Sequence, residues 1–241
     1  PLNPVFPYAD AGRALAYFME NKPEELIFDT LPLTNFDDQL NNFFRTDHHW
    51  NAHGLMKGYQ RVYNMMARNY PGISPMLDLD KIHTFPDIQF HGSLARTAFF
   101  QINPGDVFEV PNPDMPSYEI LDVDGKPIAY NRKDEYFSGN ISTAPFTDHY
   151  IEFFGKDTAF LHYVFDNDAE RHLLIIGDSF TNAIEPLLAA HYHHTYAVDI
   201  RKYPDYHFSF SEFIAQYNVD DVLILGGGSV VLYEWRWSIQ P

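Results

Sequence analysis

Two short segments hold the side chains best suited to covalent chemistry. The first is LLIIGDSFTNAIEPLL, residues 173–188, in which an apolar run delivers Gly177, Asp178 and Ser179 to the start of an expected apolar helix. A serine at such a strand-to-helix turn presents its hydroxyl where backbone N–H groups converge, which suits a nucleophile beside an oxyanion site. The second is RTDHHWNAHG, residues 45–54, where Asp47 and His49 stand two apart. In an extended stretch such residues point to the same side, so the carboxylate can hold the imidazole in one tautomer and leave its other nitrogen to accept a hydroxyl proton. Each segment also has a plainer reading. Asp178 or Ser179 can cap the following helix, and Asp47 or Asn51 can cap the next one with the histidines on the surface. Taken together, the two segments supply nucleophile, base and orienting acid. The chain has no Cys, so disulfide partners, thiolate metal sites and a Cys nucleophile are excluded.

Other groups offer weaker chemistry. Arg201, ending TYAVDIR, is a candidate donor to an acyl oxygen or sugar hydroxyl, or else a salt-bridge partner for one of the many carboxylates. Gly226–Gly228 follows a strand but lacks the helix and lysine of a phosphate-binding loop, so nucleotide binding is rejected. His191, His193 and His194, with Asp47, His49 and His53, invite a zinc reading. Neither group has a His pair four apart on a helix with an intervening Glu, and 191–193 reads as a polar turn. The expectation is no metal and no cofactor.

The elements that must position these groups follow from periodicity. Ala14, Leu15, Phe18 and Met19 predict a helix over Asp10–Asn21, stopped by Pro23, and Glu25–Thr30 reads as a short strand. From Asn51 a better-marked helix carries Leu55, Tyr59, Val62, Tyr63 and Met66 to Pro71-Gly72. Residues 75–170, dense in Pro and Gly, are expected to be a β-rich lobe of strands and loops inserted within a single domain spanning 1–241. Their aromatics, including Phe99, Phe100, Phe108, Tyr136, Phe153, Phe154 and Tyr163, are mostly expected in the core, with some exposed Tyr or Trp suited to stacking on sugars. The last third predicts strands at Leu173–Ile176, Thr195–Ile200 and Val222–Leu225 with a helix at Ser211–Tyr217. Such β-α-β-α-β order implies parallel strands buried on both faces, with ligands at their carboxyl ends.

Composition bounds the function. The 241 residues carry 16 Lys plus Arg against 33 Asp plus Glu, a formal charge of −17, which disfavours nucleic-acid and anionic-membrane binding. No apolar run approaches the roughly 20 residues needed to span a bilayer. The start, PLNPVFPYAD, is expected to follow a signal or anchor that is not part of the sequence, which leaves the compartment open.

The segment TDHHWNAHG, with HGSL and GDSF downstream and VDIR beyond, resembles the bacterial DHHW protein family, itself similar to the SGNH-type alginate O-acetylation proteins. The resemblance covers about Phe44 to Leu225. It implies an α/β, three-layer SGNH-hydrolase-like parallel sheet in which the Asp-x-His motif precedes the serine, the reverse of the usual order. Ser179 is then nucleophile, His49 base and Asp47 orienter, while His48 and Trp50 match the string without an assigned role. Where a Gly-Asn pair is expected before the serine strand, the chain has Gly155-Lys156, which puts an oxyanion contribution from these positions in question. The implied function is a serine-dependent O-acetyltransferase or acetylesterase acting on a cell-surface or exported polysaccharide. Its acyl donor is supplied by a membrane acyltransferase, and its location is extracytoplasmic. The alternative is a polysaccharide-binding or assembly protein that keeps the fold with weak catalysis.

Overall fold

The computed structural model describes residues 11–98, 106–199, 201–202 and 208–227. Asp10, Phe99, Phe100, Ile200 and Gly228 lie outside this set. The chain runs α1 (Ala11–Asn21), α2 (Phe36–Asn42), α3 (Ala52–Asn69), β1 (Ile82–Gln89), α4 (Ser93–Ala98), β2 (Val107–Pro111), β3 (Tyr118–Leu121), α5 (Lys133–Phe137) and α6 (His149–Phe154). It continues with β4 (Leu161–Phe165), β5 (His172–Gly177), α7 (Glu185–Ala189), β6 (His194–Val198), α8 (Phe210–Tyr217) and β7 (Asp221–Leu225). No helix among the described residues is long and apolar enough to cross a membrane.

The protein is α/β, with a five-stranded sheet in the order β3-β4-β6-β5-β7. As expected, β5 pairs parallel with both β6 and β7. The sheet is nevertheless mixed, not wholly parallel, because β4 lies antiparallel to β6 and β3 antiparallel to β4. Both added strands come from the segment read as an inserted β-rich lobe. That segment therefore extends the central sheet, and among its described residues the other strand pairing is the β1-β2 antiparallel pair. Its helices α4, α5 and α6 are six residues or shorter, as dense Pro and Gly punctuation requires.

Alternation along β5 builds two cores. Leu173 and Ile175 pack with Leu55, Tyr59, Val62 and Met66 of α3 and with Leu187 and Leu188, whereas Leu174 and Ile176 pack with Tyr196, Val198, Phe208 and Phe213 on the other face. Both faces are covered, so slipping β5 by one residue would exchange the two sets and lose the fit of each. The edge strand β7 departs from the expected double burial: Val222 and Ile224 are exposed while Leu223 is buried. Glu25–Thr30 is not a strand. Leu26 and Ile27 are exposed, and the segment is held by Phe28 against Phe18 and by Asp29 paired with Arg61.

The helix expected directly after Ser179 is delayed. Residues 179–184 form successive turns, tied by Thr181 N–H donating to the Asp178 carbonyl at 2.9 Å and Ile184 N–H to the Thr181 carbonyl at 2.9 Å. α7 begins only at Glu185. Pro186 has no N–H for the carbonyl of residue 182 and its ring crowds that carbonyl, which disfavours an α-helix any earlier.

Candidate active site

Asp47 and His49 lie in the bend between α2 and α3, which is closed by a bridge between Phe43 and Trp50. The capping role falls to Asn51, whose side chain accepts from Gly54 N–H at 3.1 Å, so Asp47 is free for other work. Half-buried Asp106 anchors the bend from outside, accepting from the backbone N–H groups of Arg45 at 2.9 Å and Thr46 at 3.2 Å. Desolvation raises the Asp106 pKa against these bonds. The Thr46 carbonyl in turn accepts from Leu94 N–H at 3.1 Å, docking the bend on the start of α4. Gly92, in the HGSL string, allows that contact, because a Cβ there would stand 2.4 Å from the Cβ of Asp47 and from the Thr46 carbonyl oxygen.

The structure brings Ser179, His49 and Asp47 together across 130 residues of sequence. His49 Nδ1 lies 2.6 Å from Asp47 Oδ1, and His49 Nε2 lies 2.8 Å from Ser179 Oγ. Burial alone would raise the Asp47 pKa. Hydrogen bonding and charge from His49, with the N–H groups of Ser93 and His49, outweigh it and hold the carboxyl well below its ordinary range. An ionised carboxylate only accepts, so Nδ1 carries the proton and Nε2 is left to accept from the serine hydroxyl. Asp47 has two further donors, with Oδ1 taking His49 N–H at 3.0 Å and Oδ2 taking Ser93 N–H at 2.5 Å.

His48 does not sit on the opposite side, as an extended segment would place it. The backbone bends here, and the His48 ring lies 3.9 Å from that of His49, centroid to centroid, with Nδ1 3.2 Å from Ser93 Oγ. Burial, then His49, lowers its pKa against the attraction of Asp47, Asp178 and Asp157. Asp47, His48 and His49 each offer a ligand atom within 4.8 Å of one another, the one such group among the described residues. Both nitrogens of His49 are already engaged. The second histidine group is not part of this cluster: His191 lies in the turn that leads into β6, as expected, but is buried there, bonded to Tyr59 Oη at 2.7 Å and Ser74 Oγ at 2.8 Å.

The remaining candidates are placed differently. Arg201 turns to carboxylates, with Nη2 2.6 Å from Asp199 Oδ2 and 3.0 Å from Asp157 Oδ2, and these bonds raise its pKa further. Gly155 is buried with φ 97°, and its N–H donates to the Ile151 carbonyl at 2.9 Å as the cap of α6. That N–H is therefore committed to the helix end and not to an oxyanion. A Cβ at Gly155 would meet the Tyr130 ring at 2.2 Å. Lys156 is exposed, and its carbonyl accepts from Tyr130 Oη at 2.8 Å. Gly227 N–H donates to Asp178 Oδ2 at 3.3 Å, so the glycine run after β7 secures the serine turn.

Two contributors escaped the sequence reading. Tyr150 stacks on His49 with centroids 4.0 Å apart and planes 10° apart. Buried Glu185 lies beneath the serine turn, accepting from Thr181 Oγ1 and from Tyr163 Oη at 3.1 Å, and desolvation pushes its pKa up to about 7. An aromatic in YIEFF and a Glu in a helix carry no signal of such roles.

The class defined by these features is an α/β protein whose mixed sheet ends in a Ser-His-Asp hydrogen-bonded line at the carboxyl end of a parallel strand. Comparison of the sequence with protein-family models and with curated proteins gives no match. Among solved structures the fold is similar to that of PatB1 from Bacillus cereus, at 23% identity and a TM-score of 0.69, covering 92% of this chain and 75% of PatB1. A structure of the same protein with a sulfonyl adduct is similar at 21% identity and a TM-score of 0.66, covering 92% and 74%. A DHHW family protein from Eubacterium siraeum DSM 15702 is similar at 22% identity and a TM-score of 0.58, covering 80% of this chain and 61% of that one. The resemblance read from TDHHWNAHG and GDSF thus has a structural counterpart in a DHHW family protein.

Proposed function

We propose that this protein is a serine-dependent O-acetyltransferase or acetylesterase of SGNH-like type, acting on a cell-surface or exported polysaccharide. The observation that carries the reading is the unbroken line from Asp47 through His49 to Ser179, at 2.6 and 2.8 Å. In this mechanism Ser179 Oγ attacks the ester carbonyl while its proton passes to His49 Nε2, and Asp47 balances the imidazolium. Collapse of the tetrahedral intermediate breaks the ester C–O bond, and His49 returns the proton to the departing alcohol oxygen. The acyl-serine then passes its acyl group to a sugar hydroxyl or to water: His49 takes the proton of the attacking O–H, and as the bond from the acyl carbon to Ser179 Oγ breaks it returns that proton to Oγ. A sulfonyl adduct in a PatB1 structure of similar fold supports the reading, since sulfonyl reagents trap activated nucleophiles. The DHHW resemblance adds the expectation of an acyl donor supplied by a membrane acyltransferase, outside the cytoplasm.

The test is turnover of a chromogenic acetyl ester, with mass-spectrometric mapping of the site modified by a sulfonyl fluoride. Wild type should turn over and be sulfonylated at Ser179. Ser179→Ala should fall by about 10⁴-fold or more and take no label. Equal turnover by both proteins removes the enzyme reading and leaves the binding alternative.

A further inference from the structure

The imidazole of His49 has more around it than its two hydrogen bonds. Tyr150, 1% exposed, lies face to face with it, and the Tyr150 hydroxyl donates to the backbone carbonyl of Ser179 at 3.3 Å. One side chain therefore touches both partners of the His49–Ser179 bond. Its position is set by α6, where Asp148 caps the helix by accepting from Ile151 N–H at 3.2 Å and pairs with Arg96. Arg96 in turn donates to the His91 carbonyl at 2.8 Å, next to the Gly92 contact that seats Asp47. Both halves of the site, the 47–49 bend and the 178–184 turns, thus meet on one tyrosine side chain, the first on its ring and the second on its hydroxyl.

We propose that Tyr150 is a positioning residue for acyl transfer: its ring sets the plane of the His49 imidazole and favours the imidazolium, and its hydroxyl holds the turn that carries Ser179. This rests on the reading of Ser179 as nucleophile. A parallel ring at 4.0 Å restricts rotation of the imidazole out of the Asp47–Ser179 line. The negative face of the phenol ring also attracts the ring more strongly once it is protonated, so the contact strengthens as the reaction proceeds. Desolvation raises the phenol's pKa well above its ordinary 10.0, with Asp47, Glu185 and Asp178 adding to the effect, so the hydroxyl stays a donor throughout the working pH range.

The experiment compares wild type, Tyr150→Phe and Tyr150→Leu for sulfonylation rate at Ser179, kcat and KM on the chromogenic ester, and thermal midpoint. Tyr150→Phe keeps the ring and should lose about three- to tenfold in kcat and in labelling rate. Tyr150→Leu removes the ring and should lose on the order of a hundredfold in both. KM should change by less than about twofold in either variant, because the residue acts through His49 and Ser179 and not on the substrate. A folded Tyr150→Leu protein with wild-type labelling rate and kcat overturns the proposal. Should the Leu variant fail to fold, Tyr150→Phe decides alone, and an unchanged rate there overturns it. Wild-type protein that takes no label at Ser179 would instead refute the nucleophile reading itself, and the inference with it.

Discussion

Replacing Asp47 by Asn removes one charge and one acceptor at a position where every lone-pair direction in use has a named donor. Oδ1 serves His49 N–H and Nδ1, and Oδ2 serves Ser93 N–H. The amide can keep its oxygen toward His49, leaving the Ser93 N–H facing an NH2 group. Alternatively it can keep its oxygen toward Ser93, so that its NH2 donates to Nδ1 and forces the proton onto Nε2. The first arrangement loses the charge opposite the imidazolium, and the second also blocks transfer of the serine proton. A charge-assisted bond is worth about 1.5–3 kcal/mol, and a wrong tautomer brings the loss to about 10⁴-fold, so kcat should fall by between about 10 and 10⁴. Either arrangement leaves one buried backbone N–H without its partner, at a stability cost of about 1–3 kcal/mol. Helix capping is unaffected, since Asn51 caps α3. The pH dependence carries the same signature. Folding holds the Asp47 carboxyl below its ordinary 3.8, so its contribution to stability is complete above that value and is lost as pH falls below it. The stability difference between wild type and Asp47→Asn should therefore shrink in acid. Ester turnover and urea unfolding at several pH values measure both effects. An Asp47→Asn protein within about threefold of wild-type kcat would refute the role given to Asp47.

The other two outcomes concern the surroundings of the serine turn. Burial raises the Glu185 pKa from 4.5 to about 7, so folding favours the protonated form; stability is greatest below 4.5 and is lost as pH rises through 7. The difference of about 2.5 units corresponds to about 3 kcal/mol, and Glu185→Gln should gain up to that much over wild type at pH 8 and little at pH 4, with parallel urea curves at the two pH values counting against it. Lys156→Asn, which restores the residue expected from the resemblance, should change ester turnover by less than about threefold, because the Lys156 side chain is exposed and its backbone carbonyl makes the contact with Tyr130. A large gain in that assay would show that position 156 reaches the reacting carbonyl after all.

Much of this arrangement was legible in sequence because it rests on local rules. The run Leu173–Ile176 is apolar at every position, and a strand buried on both faces demands that of its own residues. The amphipathic spacing of α3 and its Asn51 cap are likewise matters of a few neighbouring positions. Asp47 and His49, two apart, could be paired from the string itself, and Ser179 could be singled out from the turn that follows β5. The mixed character of the sheet was not legible. Strand direction depends on which edge a distant segment finds, and β4 carries no mark of joining β6 antiparallel. The bend at residues 45–49 was hidden for a related reason: Asp106 and α4 hold it, where an isolated DHH string would be taken as extended.

The sequence by itself determined which chemistry was available, since residue type decides whether a chain owns an oxygen nucleophile, an imidazole and a carboxylate, and zero Cys removes the thiol routes. It also determined which residues near in sequence pair with one another. The tertiary structure alone decided that Ser179 meets His49 across 130 positions, that Tyr150 closes over the pair, and that Arg201 is occupied by Asp199 and Asp157. Contacts of that kind come from how helices and strands pack around two cores. Packing depends on the shape and burial of the whole chain, and no short window of residues contains it.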